Sequence, residues 1–530
     1  MNVSLANLIV LLALAVGSVP AVADSIDDVP TGFLKPDTGG LPTGAWSGTS
    51  LGTAKRLVTA LPAAPRSRAL RDLQFRVMVS ELTPPPRDGS PEPTLFRRKV
   101  ERLAAMGEGE SLNEMVRSAG AYVDPGIATM TANALMMSGE PASACAVVKG
   151  NGLIPTFAAR ALAACQAFAG DSAGVLAAAP DLRTAEPQLA ALLQSAASGQ
   201  PVAGVPSGPL DGPAMMMFDL ARVRPPAAAL QSNEPPMIRA LVADRSLAIV
   251  TRVEAAERGE ASAIIEATRL SDLYVLAVRD GAAMPPAMAR RARLVADARN
   301  ANNADEIMHS LVAVYGESRG SPLFATIARA TASSLLTLPA KAEYANVAQE
   351  AIRGLLLLGD KRLTQTWVKL ALTSVANNAR AIIALDRMLP LIAIAGVDNG
   401  RRLSVGEINR WYDLMQQDDP ARAPQRGYLM LELLRATGAL PGGGTALPEA
   451  AQGGGRGISP PAATLQALQA AATGRRLAEA ALLGSIAIGE TALTDLHPSA
   501  VGAIVRAVRE AGEDQAARLF AIEVAIAQGL

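Results

Sequence analysis

Histidine is almost missing from this chain: His309 and His497 are the only two in 530 residues. Zinc sites need three or four His, Cys or carboxylate ligands at set spacings. With neither H-E-x-x-H nor C-x-x-C present, no metal site and no cofactor are expected. Aromatic residues are scarce as well, 3% of the chain against 50% hydrophobic residues in all, so alanine, leucine and valine must build the core. Small or unbranched apolar side chains suit helices, whereas strands draw on β-branched and aromatic residues. No convincing run alternates with period two, and the chain reads as all-α. An excess of charge of either sign is also lacking, with 49 basic residues against 49 acidic ones. Nucleic-acid binding needs clustered positive charge, so no nucleic-acid partner is expected. Lysine contributes only seven of the basic residues and arginine the rest, a ratio that codon bias explains without a phosphate ligand.

Long apolar runs are absent except at the N-terminus. "MNVSLANLIVLLALAVGSVPAVADS" carries an apolar stretch from Leu5 to Val16, then Gly17, Pro20 and the A-x-A of Ala21 to Ala23. That pattern is a signal peptide over 1–23, with the mature chain starting near Asp24, although the n-region has no lysine or arginine. The run is shorter than the ~20 residues a bilayer span requires, so no integral span is expected in the mature chain. Export places the two cysteines, Cys145 and Cys165, in an oxidising space, where an even count favours a disulfide. One geometric obstacle stands out: Cys165 lies further from the intervening "GNGLIP" turn than Cys145 does.

Residues 24–50 are turn-rich and aperiodic, the pattern of an extended arm. Helical periodicity then fills 51–197, interrupted by "TPPPRDGSPEP" at 83–93, where proline removes amide donors. A second break covers 198–212 and a second helical region 213–436. A glycine- and proline-rich linker spans 437–461, and a helical cap of 462–530 remains, small enough to need the main body for its core. Apolar residues recur at helical spacing, as in Phe96, Val100 and Leu103, in Tyr344, Val347, Ala348, Ala351, Ile352 and Leu355, and in Val501, Ile504, Val505 and Val508. Four places share a local grammar: an apolar helix end, glycine, an acidic residue, then a new helix. They are Gly139-Glu140, Gly170-Asp171, Gly359-Asp360 and Gly512-Glu513. Glycine suits the left-handed position past a helix end, and the acid suits the next helix's positive end. Eight residues after each glycine an apolar position follows: Val147, Ala178, Trp367 and Phe520. These features predict an α-solenoid of degenerate helical hairpins, tetratricopeptide-like in style.

Catalytic motifs fail on inspection. "GESRG" at Gly316 to Gly320 matches G-x-S-x-G, but a helical segment precedes it where a nucleophile elbow needs a strand. Its serine reads as the cap of a helix starting near Pro322. Glu110-Ser111, Glu317-Ser318 and Leu414-Met415-Gln416 are scattered pieces of the lytic-transglycosylase pattern, too far apart in sequence to act together. No catalytic residue is assigned. Trp46, on the arm, either anchors a partner or packs on the first helices; Trp411 and Tyr412 face the same choice.

The order of features from about residue 40 to 300 resembles a group of uncharacterised exported helical proteins of alphaproteobacteria, some of which carry an antifreeze label. The likeness rests on "GAWSGTS", "LVTALPAAPRSRALRDLQFRVMVSE", "RRKVERLAAMGE", "SGEPASACAVV" and "AARALAACQAFAGD". It implies an exported α-solenoid and brings no activity or catalytic residue with it. The regular threonine array that ice binding requires is not visible. The expectation is therefore a non-enzymatic periplasmic scaffold or adaptor for a protein partner in peptidoglycan, secretion or motility machinery. The alternatives are an envelope enzyme acting on peptidoglycan and a carrier of an apolar ligand inside the superhelix.

Overall fold

The computed structural model describes residues 26–202, 204–205, 207–374, 379–398, 400–440 and 455–530. The expected signal peptide, 1–23, and most of the expected 437–461 linker lie outside the described residues. The described residues form 27 α-helices and no strand, with two isolated bridges joining Leu34 to Ser80 and Ile458 to Leu496. None of these helices is long and apolar enough to cross a membrane.

The apolar stripes account for the helices. Leu95–Ala105 buries Phe96, Val100 and Leu103 and opens on Thr94, whose Oγ1 accepts the Arg97 amide at 3.1 Å. Pro498–Glu510 buries Val501, Ile504, Val505 and Val508. The stripe from Tyr344 to Leu355 is buried throughout, but its backbone divides into a 3₁₀ segment, Ala342–Val347, and an α-helix, Ala348–Leu358. All four glycines of the repeated grammar have positive φ, between 71° and 118°. At Gly139 the need is double, because an added Cβ would also come within 2.4 Å of the Ala243 Cβ. Asp171 and Asp360 cap the helices that follow, accepting the amides of Gly174 at 2.9 Å and Leu363 at 2.8 Å. Glu140 and Glu513 make no cap bond; Glu513 turns instead to Arg76, at 3.1 Å.

Helices adjacent in sequence pack as neighbours along much of the chain, and its two ends also meet. Leu477–Ile488 packs on Leu51–Ala60 and on Arg68–Val79. The last helix, Asp514–Ala527, packs on Arg68–Val79, Ala348–Leu358 and Ala379–Ala395. Polar contacts reinforce the closure. Ser67 is the N-cap of Arg68–Val79, and its Oγ donates to Glu523 at 2.5 Å while the Ala69 amide donates to the same carboxylate at 3.2 Å. A side chain from the last helix therefore completes the N-terminus of an early one.

Of the expected extended arm, 24–50, the described residues 26–50 are docked on the body. Their turns lie on the protein surface formed by both ends, with Leu41 and Trp46 buried. The Ala478 amide donates to the Ala45 carbonyl at 2.9 Å, and Thr49 Oγ1 donates to Glu479 at 2.9 Å. Aperiodic sequence conceals this docking because its partners lie far along the chain, in residues 79–99 and again at Ala478 and Glu479.

Cys145 and Cys165 form a disulfide, with Cα atoms 5.5 Å apart. Cys145 lies five residues before the end of Pro141–Gly150, and Cys165 ten after the start of Pro155–Phe168. That offset amounts to about 7 Å of helix rise. Asn151 is extended, and a four-residue connection can span up to ~13 Å, enough to absorb the offset. Closing a loop of this length stabilises a fold by about 3 kcal/mol. The Cys145→Ala, Cys165→Ala double variant is expected to lose about that much in urea titration, and non-reducing mass analysis of the wild type should show two hydrogens fewer than the reduced chain.

Candidate functional site

A cavity of about 810 Å³ opens where early and late helices of the chain meet. One face of Arg68–Val79 supplies Arg68, Arg71, Asp72, Phe75 and Arg76. These positions fall at i, i+3, i+4, i+7 and i+8, which stack on one side of a helix. The opposite side carries Leu70, Leu73, Val77 and Met78 into the core. Glu108 and Ser111 enter from the start of Gly109–Ser118, and Glu266 from the segment leading into Ala267–Arg279. Glu513, Gln515 and Glu523 come from the last helix and its cap position.

The arginines of this wall are occupied. Arg71 reaches Glu108 at 2.6 Å and also donates to the carbonyls of Ala263, Met106 and Ala63 at 2.7, 3.2 and 3.3 Å. Burial pushes its guanidinium down to about 10, with Glu108 opposing the change. Arg239 adds a second contact to Glu108 at 3.0 Å. Arg68 spans Glu260 at 3.2 Å and Glu266 at 3.7 Å. Arg76 joins Glu513 to the Gly39 carbonyl, at 3.1 and 2.9 Å. Beneath the wall, Glu260 is fully buried and takes Arg329 in a two-pronged contact at 2.6 and 3.1 Å. Burial pushes the Glu260 carboxyl upward, but Arg329 and Arg68 outweigh it and hold the group below its ordinary value.

Asp72 is the exception. It is exposed to the cavity, and among the described residues it has no hydrogen-bond or ion-pair partner. The surrounding walls strip enough solvent to raise its pKa, against the pull of Arg76 and Arg68. Burial raises the Glu523 carboxyl too, with the Ser67 hydroxyl opposing. The wall thus holds three arginines against five carboxylates, and its unengaged charge is negative.

The residues singled out from sequence lie elsewhere. Trp46, Trp411 and Tyr412 are 2%, 1% and 3% exposed, so none is a free surface anchor; each was recruited as core volume in a chain with few large side chains. Trp411 and Met415 also border a smaller cavity. Ser318 is the last residue of Ala304–Ser318, buried, with its Oγ on the Val314 carbonyl at 2.7 Å. It does not cap the following helix. Ser321 serves that turn, accepting the Leu323 amide at 3.2 Å. Glu317 pairs with exposed Arg290 at 2.7 Å, and Glu110 faces Glu140. Of the transglycosylase fragments the large cavity takes only Ser111. His309 is exposed with a ring nitrogen on the Asp305 carbonyl, and His497 caps Pro498–Glu510.

The charged face of Arg68–Val79 was visible in "RALRDLQFR" as a helical stripe, but an outward solvated face has the same pattern. Only the return of the C-terminal helices turns it into a wall. Comparison with protein-family models, with curated proteins and with solved structures yields no match to this chain.

Proposed function

We propose that the protein is a non-enzymatic scaffold of the cell envelope that receives a flexible, positively charged segment of a partner protein in the central cavity. The observation that carries this reading is the unpaired Asp72 carboxylate on a wall whose arginines are all engaged. A lysine or arginine side chain, or an amine, matches that surplus. The meeting of early and late helices favours a segment of the partner over its folded surface. A folded partner needs about 800 Å² of surface on each side, whereas a peptide segment fits a cavity of this size. The charged lining speaks against an apolar cargo here. The signal segment and the disulfide support an exported, oxidising location, as does the resemblance to exported alphaproteobacterial proteins.

The test places a photo-crosslinking phenylalanine at position 75, on the cavity wall, and illuminates intact cells. A discrete adduct to one envelope protein is expected, through a basic segment of it. The adduct should fall at least tenfold in an Asp72→Asn background and be absent when the crosslinker sits at Val123, which is 90% exposed elsewhere. An adduct indifferent to Asp72 would overturn the proposal. So would release of muropeptides from peptidoglycan by the purified protein, lost on Asp72→Asn, which would establish the enzyme instead.

A further inference from the structure

A second cavity, about 420 Å³, lies between Ala348–Leu358, Val405–Asp418 and the end of Asp514–Ala527. Its size falls within the roughly 300–1,000 Å³ of small-molecule sites. Four arginines line it: Arg319, Arg353, Arg387 and Arg426. Three are held by carboxylates. Arg319 pairs with Glu350, Arg387 makes a two-pronged contact with Asp418 at 3.0 and 2.8 Å, and Arg426 meets Asp419 at 3.4 Å.

Arg353 has no such partner among the described residues. Its Nε is sealed from water and without an acceptor. Its nearest relief is the Phe324 ring, 6.0 Å from the guanidinium carbon, at the outer limit of a cation–π contact. Burial, then the like charges of Arg319 and Arg387, push this guanidinium down to about 10. The residue is half-buried, and a partly shielded charge with no counter-ion is costly for a fold to carry. The other guanidiniums described above each have a carboxylate, so this one stands apart. The planar fork of arginine matches carboxylate and phosphate oxygens in pairs. Beside it, the buried rings of Trp411 and Phe324 and the Met415 side chain supply apolar wall, and Gln349 supplies an amide.

We propose that this cavity binds a small organic anion, bearing a phosphate or carboxylate group for Arg353 and a flat apolar part for the Trp411 side. This site is separate from the central cavity and does not depend on the scaffold reading. It also gives Trp411 a role beyond core volume.

The test is calorimetric titration of the full mature chain with 1-naphthyl phosphate and with naphthalene-2,6-dicarboxylate. Saturable one-to-one binding of either is expected, and which binds tighter tells a phosphate ligand from a dicarboxylate one. Arg353→Met should weaken binding at least tenfold, whereas Arg290→Gln, which removes an exposed charge elsewhere, should leave it unchanged. Without probe, Arg353→Met should melt at or above the wild-type temperature, because it removes an unpaired charge. With probe, it should lose the upward melting shift that ligand gives the wild type. The proposal fails if neither probe saturates, or if Arg353→Met binds as well as wild type. It fails equally if the variant melts lower without probe, since that would make Arg353 a structural group.

Discussion

Replacing Glu260 by alanine will destabilise the protein by about 3–5 kcal/mol, the usual cost of removing one member of a buried ion pair. Glu260 is fully buried and holds Arg329 through two bonds and Arg68 through one. Its removal leaves the largely buried Arg329 without an ion-pair partner among the described residues, and leaves Arg68 with Glu266 alone. Arg68 belongs to the early helix, Glu260 to Ile249–Ala261 and Arg329 to Phe324–Ala330, so three distant segments loosen together. Glu260→Gln should be nearly as damaging, because an amide keeps the shape but not the charge. The pH dependence separates charge from shape. The folded pKa of Glu260 is lowered, so its contribution is present above the ordinary carboxylate pKa and fades as pH falls through the folded value. Wild type and Glu260→Gln should therefore differ most near neutrality and converge in acid. Urea titrations at pH 7 and through a series of lower pH values measure this; a gap that stays constant down to the acid limit of folding would assign the effect to packing alone.

What the sequence made legible was local. Gly139, Gly170, Gly359 and Gly512 mark helix ends because positive φ excludes most other residues there, a constraint that acts within one turn of chain. The stripes at Phe96 and Val501 follow from a 3.6-residue period for the same reason. Burial imposed by distant chain was not legible. Trp46 sits in an aperiodic, turn-rich stretch, and it packs beside Leu82, Leu95 and Phe96, some 36 to 50 positions on, while the neighbouring Ala45 is tied to Ala478. Arg68, Arg71, Asp72 and Arg76 form a stripe that suits water and a cavity wall equally well. The disulfide lay between these cases. Compartment and cysteine count pointed to it, but the helix offset could be settled only by the reach of the connection and the 5.5 Å between the Cα atoms. Arg353 offered no sequence signal at all, since its distinction is a missing partner rather than a present one.

Removing residues 455–530 will abolish cooperative folding of the rest, not merely trim a cap. Arg68–Val79 buries Leu70, Leu73 and Val77 completely while packing on Leu477–Ile488 and Asp514–Ala527. Ala423–Thr437 packs on Pro498–Glu510, and Ala348–Leu358 and Ala379–Ala395 on Asp514–Ala527. Deletion uncovers an apolar face on each of these four helices, at about 25 cal/mol for every Å² returned to water. It also strips Glu523 from the amide of Ala69 and the hydroxyl of Ser67, leaving the early helix without half its cap. The truncated chain should aggregate or show a broad thermal transition with weakened helical circular dichroism. Supplying 455–530 as a separate polypeptide during refolding should restore a sharp transition and co-elution of the two pieces, because the closure depends on packing rather than on chain connectivity. A truncated chain that stays monomeric, with unchanged helicity and a sharp transition, would show that the early helices hold together by themselves. In that case the central cavity would be an open groove, and Asp72 would face solvent instead of a site.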